Sequence, residues 1–196
     1  MTDSAFLHSL TDFGSTAVLI PVSVALAVWL LFQPSRRLAL WWLAAAAVCI
    51  GGTAALKVVF FVCPPDPSLQ SPSGHTSLST FVYGALAMLL AAHGQGWLRK
   101  ASVVAGILVV LAIAVSRVLL GAHTVIETAL GLAVGLAALA IFFGAYSARQ
   151  PSFVHVRPLF LGVALLIVLL HGQQLQAEEL LRAFGFYMKA SGAACI

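Results

Sequence analysis

Residues Ser71-Pro72-Ser73-Gly74-His75 form a short polar stretch between two long apolar segments. Proline and glycine interrupt regular helices and favour turns, so this stretch predicts a loop that leads into a new helix. His75 stands at the start of that helix, which the apolar pattern extends to about Ala92. The chain is therefore expected to consist of long apolar helices with polar groups at their ends.

The composition of the whole chain is typical of a membrane protein. Of the 196 residues, 61% are hydrophobic and 8% are charged, and the mean hydropathy is +1.04. A soluble domain has about 25% charged residues, so we predict a protein embedded in a bilayer. The formal charge is +4, but the cations are dispersed and form no basic stripe with aromatic residues, so no nucleic-acid partner is predicted.

Apolar runs of sufficient length predict six membrane-spanning helices, because a span needs about 20 apolar residues. Five runs are strong, at residues 14–32, 38–61, 75–92, 101–120 and 123–143. The sixth is weaker, begins near Pro158 and loses its apolar character at His171. The predicted fold is an all-α membrane protein, a six-transmembrane-helix bundle that forms a single transmembrane domain over residues 1–196.

Amphipathic segments at the two ends of the chain predict short interfacial helices. Residues 1–13 place apolar side chains on one helical face, although a frayed, solvated terminus fits this pattern equally well. If residues 175–188 form a helix, its apolar side chains lie on one face, and Glu178, Glu179 and Arg182 lie on the opposite face.

The three cysteines are Cys49, Cys63 and Cys195, and they share no metal-ligand spacing. We expect them to be small buried side chains rather than disulfide or redox groups.

Charges in the connections between spans predict the orientation in the membrane. The connections on one side carry no acid, and their cations are Arg36, Arg37, Arg99, Lys100, Arg149 and Arg157. The other side receives all six acids. Under the positive-inside rule the first side is cytoplasmic. We therefore expect a multi-pass protein of a bacterial inner (plasma) membrane, with both termini and the polar stretch at 71–75 on the outer, periplasmic side.

Three charged side chains lie in or at the ends of the strong spans: Lys57, Arg117 and Glu127. Placing an ionisable group in hydrocarbon costs at least about 2.5 kcal/mol, so each needs a partner or a water-filled cavity and is a functional candidate. All three fall at the same end of the predicted bundle as His75 and His123. This convergence predicts a polar site at that end.

His123 and Glu127 are four residues apart, which places them on one face if both are helical. A carboxylate that accepts a hydrogen bond from an imidazole fixes the tautomer and makes the other ring nitrogen a better nucleophile or base. The alternative interpretation is an ordinary i,i+4 pair in which the two side chains only satisfy each other's hydrogen bonds.

Ser73 and Gly74 precede the third span, where free backbone N–H groups and the positive end of the helix dipole favour an anion. Ser73 can cap the helix, and Gly74 allows a ligand to approach the backbone. An ordinary helix cap explains these two residues as well, but it does not explain the histidine that follows.

The candidate groups are two cations, a helix N-terminus and two histidines, one of which can bond to a carboxylate. This set suits phosphoryl transfer without a metal or another cofactor. A small proton-coupled transporter or membrane scaffold is an alternative, but it predicts polar residues deeper in the fifth span, and residues 129–143 contain none. An intramembrane protease with Ser73 as nucleophile, or a metal site on His75, His123 and Glu127, leaves Lys57 and Arg117 unexplained.

These residues carry a resemblance to a known family. Pro72-Ser73-Gly74-His75, followed by Ser116-Arg117, five residues, His123, three residues and Glu127, resembles the second and third signatures of the type 2 phosphatidic acid phosphatase superfamily. The similarity is to its integral membrane lipid phosphatase branch and covers residues 50–143. The resemblance implies a six-helix fold and a membrane lipid phosphate or diphosphate as substrate.

By this resemblance, His123 is the nucleophile that becomes phosphorylated and Glu127 orients it. His75 is the general acid for the leaving alcohol and then the base that activates water. The phosphate would be held by Lys57, Ser73, Gly74 and Arg117.

Two positions depart from the family pattern. The acid of the third signature is usually aspartate, and here it is Glu127. The first signature, Lys-x6-Arg-Pro, is matched only by Lys57 and Pro65, because Pro64 takes the position of the arginine. Loss of that bidentate phosphate donor is expected to change affinity or substrate class, and a weakly active or inactive member is the alternative.

Overall fold

The computed structural model describes residues 2–66, 68–149, 156–173, 175 and 177–191. These residues form eight α-helices and, in the described ranges, no strand. The helices are α1 (Thr2–Asp12), α2 (Thr16–Leu31), α3 (Arg37–Val62), α4 (Gly74–His93), α5 (Trp97–Leu119), α6 (Val125–Arg149), α7 (Val156–Leu170) and α8 (Ala177–Ala190). The predicted all-α fold is confirmed.

Five helical segments are long and apolar enough to cross a membrane, which makes this a multi-pass membrane protein. They are Ser4–Leu31, Arg37–Val62, Gly74–His93, Trp97–Leu119 and Val125–Ala148. The segment predicted as the sixth span forms the apolar helix α7, whose 15 residues fall short of the usual length, so the count of six spans stays a prediction. The predicted terminal helices are present as α1 and α8, and their place at the interface stays a prediction.

Helix α4 lies at the centre of the bundle, since twelve of its 20 residues are buried. Its Phe81 stacks on Trp42 of α3 with ring centroids 4.3 Å apart, and Phe142 of α6 meets the same indole edge-on at 5.1 Å. The indole N–H of Trp42 donates to the Ser23 carbonyl of α2 at 2.9 Å, so this buried polar group is satisfied. Four helices are thereby joined around one aromatic cluster.

Helices α4 and α6 approach closely because α6 carries Gly131 and Gly135 on the face that meets α4. A Cβ at Gly131 would collide with the Ser73 carbonyl oxygen, and one at Gly135 would collide with that of Ser77. Small residues that allow two backbones to touch are typical of packed membrane helices. This close packing brings the start of α6 against the start of α4.

The cysteines follow the sequence-based expectation only in part. Cys49 is free and buried, and its thiol lies 3.5 Å from the Ser77 carbonyl oxygen. Cys63, which ends α3, is disulfide-bonded, so the expectation of a small buried thiol is wrong there. Cys195 lies outside the described residues.

Candidate active site

All seven residues predicted for the site lie at one end of the bundle, which we call the site end. It is formed by the last turns of α3 and α5, the starts of α4 and α6, and the loops that precede them. The seven residues are Lys57, Ser73, Gly74, His75, Arg117, His123 and Glu127. The structure thus brings the candidates together, while their individual roles stay predictions.

Glu127 is almost fully buried, with 2% of its surface exposed, and both carboxylate oxygens accept hydrogen bonds. Oε2 accepts from the Nδ1–H of His123 at 3.2 Å and from the backbone N–H of Thr124 at 2.8 Å. Oε1 accepts from the backbone N–H of Ser71 at 2.8 Å and from that of Gln70. The carboxylate therefore joins the loop before α4 to the turn before α6.

Thr124 and Glu127 form a capping box at the start of α6. The Thr124 hydroxyl accepts from the Glu127 backbone N–H at 3.2 Å, while the Glu127 side chain reaches back to the Thr124 N–H. This reciprocal arrangement fixes the first turn of α6. The Thr-x-x-Glu spacing is visible in the sequence and was the available signal for it.

His123 lies in the turn before α6, so the prediction that His123 and Glu127 share a helical face is wrong in its geometry. Helix α6 begins at Val125 because the capping box starts it there, and Gly121 turns the chain with a φ of 65°. The His123 backbone N–H donates to the Arg117 carbonyl at 3.2 Å. The expected contact between His123 and Glu127 is nonetheless present.

The contact with Glu127 fixes the tautomer of the His123 imidazole. Because Nδ1–H donates to Glu127, the ring is in the tautomer that leaves a lone pair on Nε2. Burial lowers the pKa of His123, and Arg117 and Lys57 lower it further, against the opposing effects of Glu127 and Glu178. A histidine with a lowered pKa stays neutral at pH 7, which is the form that can attack phosphorus.

Lys57 reaches the start of α4 although it belongs to the last turns of α3. Its ammonium donates to the Ser71 hydroxyl at 3.2 Å, and a Cβ at Gly74 would lie 3.7 Å from its Cε. Ser73 caps α4, with its hydroxyl accepting from the Thr76 hydroxyl at 3.0 Å and from the Thr76 N–H at 3.4 Å. A cation and a capped helix N-terminus therefore adjoin, as an anion site requires.

His75 and Arg117 line a cavity of about 250 Å³ that α1 closes from the other side. The guanidinium donates to the Thr11 hydroxyl at 3.5 Å, and its buried Nε has no hydrogen-bond partner among the described atoms. A buried donor without a partner suits a ligand that can accept from it. The cavity thus presents one imidazole and one guanidinium donor to a common space.

Glu178 of α8 belongs to the site, which the sequence analysis missed. Its Oε2 forms an ion pair with the Lys57 ammonium at 3.0 Å, and its Oε1 accepts from Arg182 at 3.1 Å. Burial raises the pKa of Glu178, but the charge and hydrogen bond of Lys57 and the hydrogen bond of Arg182 outweigh it and bring the pKa to about 2. Glu178 is thus the partner that a lysine in an apolar helix requires.

The protein is therefore a multi-pass membrane protein whose bundle carries a cationic, histidine-containing site at one end. Within the described ranges, no group of three His, Cys, Asp or Glu side chains is arranged to hold a metal ion.

Comparison with known proteins places the chain in a family. Residues 54–151 match the PAP2 superfamily. A protein of Klebsiella pneumoniae described as an uncharacterized 22.5 kDa protein in the cps region is 31% identical over 180 residues, covering 86% of this chain and 85% of the relative. No solved structure gives a significant match. The chain belongs to the PAP2 superfamily, as the signatures predicted, and this membership indicates a phosphatase.

The contacts of Glu127 predict that its loss damages the fold more than the loss of His123 does. Glu127→Gln replaces an acceptor of four N–H groups by an amide that presents a donor to some of them, and each lost charge-assisted bond costs about 1.5–3 kcal/mol. His123→Ala removes one of the four bonds. We expect a larger fall in the unfolding temperature of the detergent-purified protein for Glu127→Gln. Equal losses in the two variants would contradict this role of Glu127.

Proposed function

We propose that the protein is a lipid phosphate phosphatase that hydrolyses a phosphate monoester or diphosphate at the outer membrane–water interface, without a metal, through a phosphohistidine. The observation that carries this proposal is the buried contact between His123 and Glu127, at the same end as Lys57, Arg117 and the start of α4. Membership of the PAP2 superfamily supports the phosphatase class.

The phosphate group would bind between the two cations. Lys57 and Arg117 neutralise its charge, and the backbone N–H groups at the start of α4, which Ser73 caps, donate hydrogen bonds to its oxygens. Gly74 has no side chain to keep the phosphate away from this backbone. Positive groups fixed before the reaction stabilise the charge that spreads over the equatorial oxygens in the transition state. The protein's own cations thereby supply the electrostatic stabilisation that this step needs.

In the first step, Nε2 of His123 attacks phosphorus in line with the leaving oxygen. The new P–N bond forms as the P–O bond breaks, and His75 donates a proton to the leaving alcohol or phosphate. Glu127 stabilises the positive charge that develops on the His123 ring. The departing group is the lipid alcohol of a monoester or the lipid monophosphate of a diphosphate.

In the second step, water attacks the phosphohistidine. His75, which has lost its proton, now accepts one from the water, and the P–N bond breaks to release inorganic phosphate. His123 returns to the neutral tautomer that Glu127 favours. The cycle restores both histidines without any further reactant.

An apolar cavity supports a lipid as substrate. It has a volume of about 1010 Å³ and lies between α4, α5 and α6, from Thr80 and Leu132 near the site end to Arg99 and Ser147 at the other. Thr80 follows His75 by five residues, which is about 7.5 Å along a helix. A phosphate at the site could therefore leave its hydrocarbon chain in this cavity.

The charge distribution supports an outer, periplasmic site in a bacterial inner membrane with six spans. Helix α7 would be the sixth span, short but strongly apolar, and an even number places both termini on one side. Cys63 at the site end is disulfide-bonded, and disulfides persist on the oxidising side of a membrane. In this topology the whole chain is one transmembrane domain.

The reaction predicts a simple pattern of activity. The purified protein should release phosphate from a lipid phosphate in the presence of a chelator, and His123→Ala should abolish this release because the nucleophile is gone. His93→Ala, at the opposite end of α4, is the matched control and should retain activity. A requirement for added metal, or activity that survives His123→Ala, would exclude the mechanism.

The apolar cavity predicts a chain-length effect. Ile107→Trp should fill part of the cavity and lower kcat/KM for a long-chain lipid phosphate by about tenfold. This is the effect expected when a few methylene groups of the substrate chain can no longer be buried. A short-chain, water-soluble phosphate ester should react unchanged. The control is Leu108→Trp, since Leu108 is exposed to a similar extent on the surface of α5 but does not line the cavity. Equal effects of the two variants would show that the lipid chain lies elsewhere.

The topology predicts that reporters fused to the two termini are both on the periplasmic side. An alkaline phosphatase fusion, which needs the oxidising side, should be active at either end, and a fluorescent protein that needs the cytoplasm should be dark. Termini on opposite sides would show that α7 does not span the membrane.

A further inference from the structure

The carboxylate of Glu178 lies among the positive groups of the site and has no role in the reaction proposed above. Its Oε2 is 3.0 Å from the ammonium of Lys57, which is itself only 4% exposed. The same carboxylate interacts electrostatically with His75, Arg117 and His123. It therefore holds a position beside Lys57 that an oxygen of a bound phosphate would otherwise take.

The second carboxylate oxygen of Glu178 has its own cation. Oε1 accepts from Arg182 one turn further along α8 at 3.1 Å, and the Arg182 guanidinium lies 5.4 Å from the centre of the Phe61 ring of α3. A rotation that takes Oε2 away from Lys57 can therefore keep the bond to Arg182. Glu178 can leave Lys57 without becoming an unpaired charge.

The Glu178 carboxylate can move away from Lys57 without any movement of helix α8. Gly185 packs directly on Phe61, where a Cβ would come within 2.8 Å of the Phe61 Cβ, so α8 is closely seated on α3. The carboxylate is at the end of a flexible side chain that is 41% exposed. Movement of this side chain alone would open the position at Lys57.

We propose that Glu178 is an internal competitor for phosphate at Lys57, which sets the affinity of the site for the phosphate group. This inference rests on the proposed function, because it takes Lys57 as a phosphate ligand. An arriving phosphate, with about −2 charge and three oxygens against −1 for the carboxylate, displaces Glu178 toward Arg182. After hydrolysis the carboxylate returns to Lys57 as inorganic phosphate leaves, which limits inhibition by the product.

Binding of inorganic phosphate to the purified full-length protein tests this inference without any turnover. Glu178→Gln removes the competing charge at constant size, and Glu179→Gln removes an exposed charge from the adjacent position of the same helix. We expect Glu178→Gln to bind phosphate about fivefold more tightly, the effect of removing one partly exposed ion pair. Glu179→Gln should bind like the unmodified protein, by calorimetry or by the phosphate-dependent shift of the unfolding temperature.

A double-mutant cycle shows whether the competition acts at Lys57. In a Lys57→Gln background phosphate should bind weakly, and the further change Glu178→Gln should have no effect. If Glu178→Gln does not fold, Glu178→Asp serves instead: its shorter side chain keeps the charge but reaches Lys57 less well, so phosphate should bind more tightly than in the unmodified protein. Unchanged or weaker phosphate binding in the variant that folds would overturn the proposal.

The outcomes separate this inference from the proposed function. Tighter phosphate binding by Glu178→Gln in a protein that hydrolyses no lipid phosphate would support the competition and reject the activity. Chelator-resistant hydrolysis that depends on His123, together with unchanged phosphate binding in Glu178→Gln, would support the activity and reject the competition.

Discussion

The buried carboxylate of Glu127 is the interaction on which the site end of the bundle depends. A carboxylate out of contact with water must be satisfied by hydrogen bonds, and this one accepts from three backbone N–H groups and one imidazole. The backbone donors belong to the loop before α4 and the turn before α6, so both segments are placed by one side chain. The same carboxylate sets the tautomer of His123, so the geometry that the proposed reaction needs is also the geometry that the fold needs. Gly131 and Gly135 of α6 complete this arrangement, since they let the α6 backbone touch α4 about one and two turns below Glu127.

Much of this structure could be predicted from the sequence, because the membrane imposes a length on each apolar run. The helices α3, α4 and α5 begin and end within a few residues of the predicted spans, and the charged side chains in those spans lie where burial demands a partner. The start of α6 was predicted two residues early, because hydropathy does not distinguish His123 in the turn from Val125 in the helix. The capping box Thr124-x-x-Glu127 does distinguish them, since its hydrogen bonds require Thr124 to precede the first helical residue.

Glu178 could not be predicted as part of the site, for a physical reason. Its partner Lys57 is 121 residues away in the chain, and an acid at the start of an amphipathic helix is equally well explained by solvent. Only the docking of α8 on α3, through Gly185 and Phe61, decides which way Glu178 points. Glu178, on the polar face of α8, is thus directed to Lys57, while the apolar Leu180, Phe184 and Tyr187 are exposed. This distribution suits a helix between a charged site and lipid, because the apolar side chains lose nothing in contact with hydrocarbon.

The proline at position 64, where the resemblance led us to expect an arginine, has a consequence for the charge around Lys57. Pro64 is exposed and has no donor to offer a phosphate, so the loop after α3 contributes no cation beside Lys57. Among the described residues, the charges of Arg182 and Arg117 act on Lys57, and Arg182 belongs to α8, which also carries Glu178. An arginine bonded to Glu178 carries less free charge toward a phosphate than an arginine in the loop would. Under the proposed competition, the affinity of the site for phosphate depends on where the Glu178 carboxylate lies. If Glu178 competes for Lys57 as proposed, α8, which is far away in the sequence, controls the charge that this lysine offers to a phosphate.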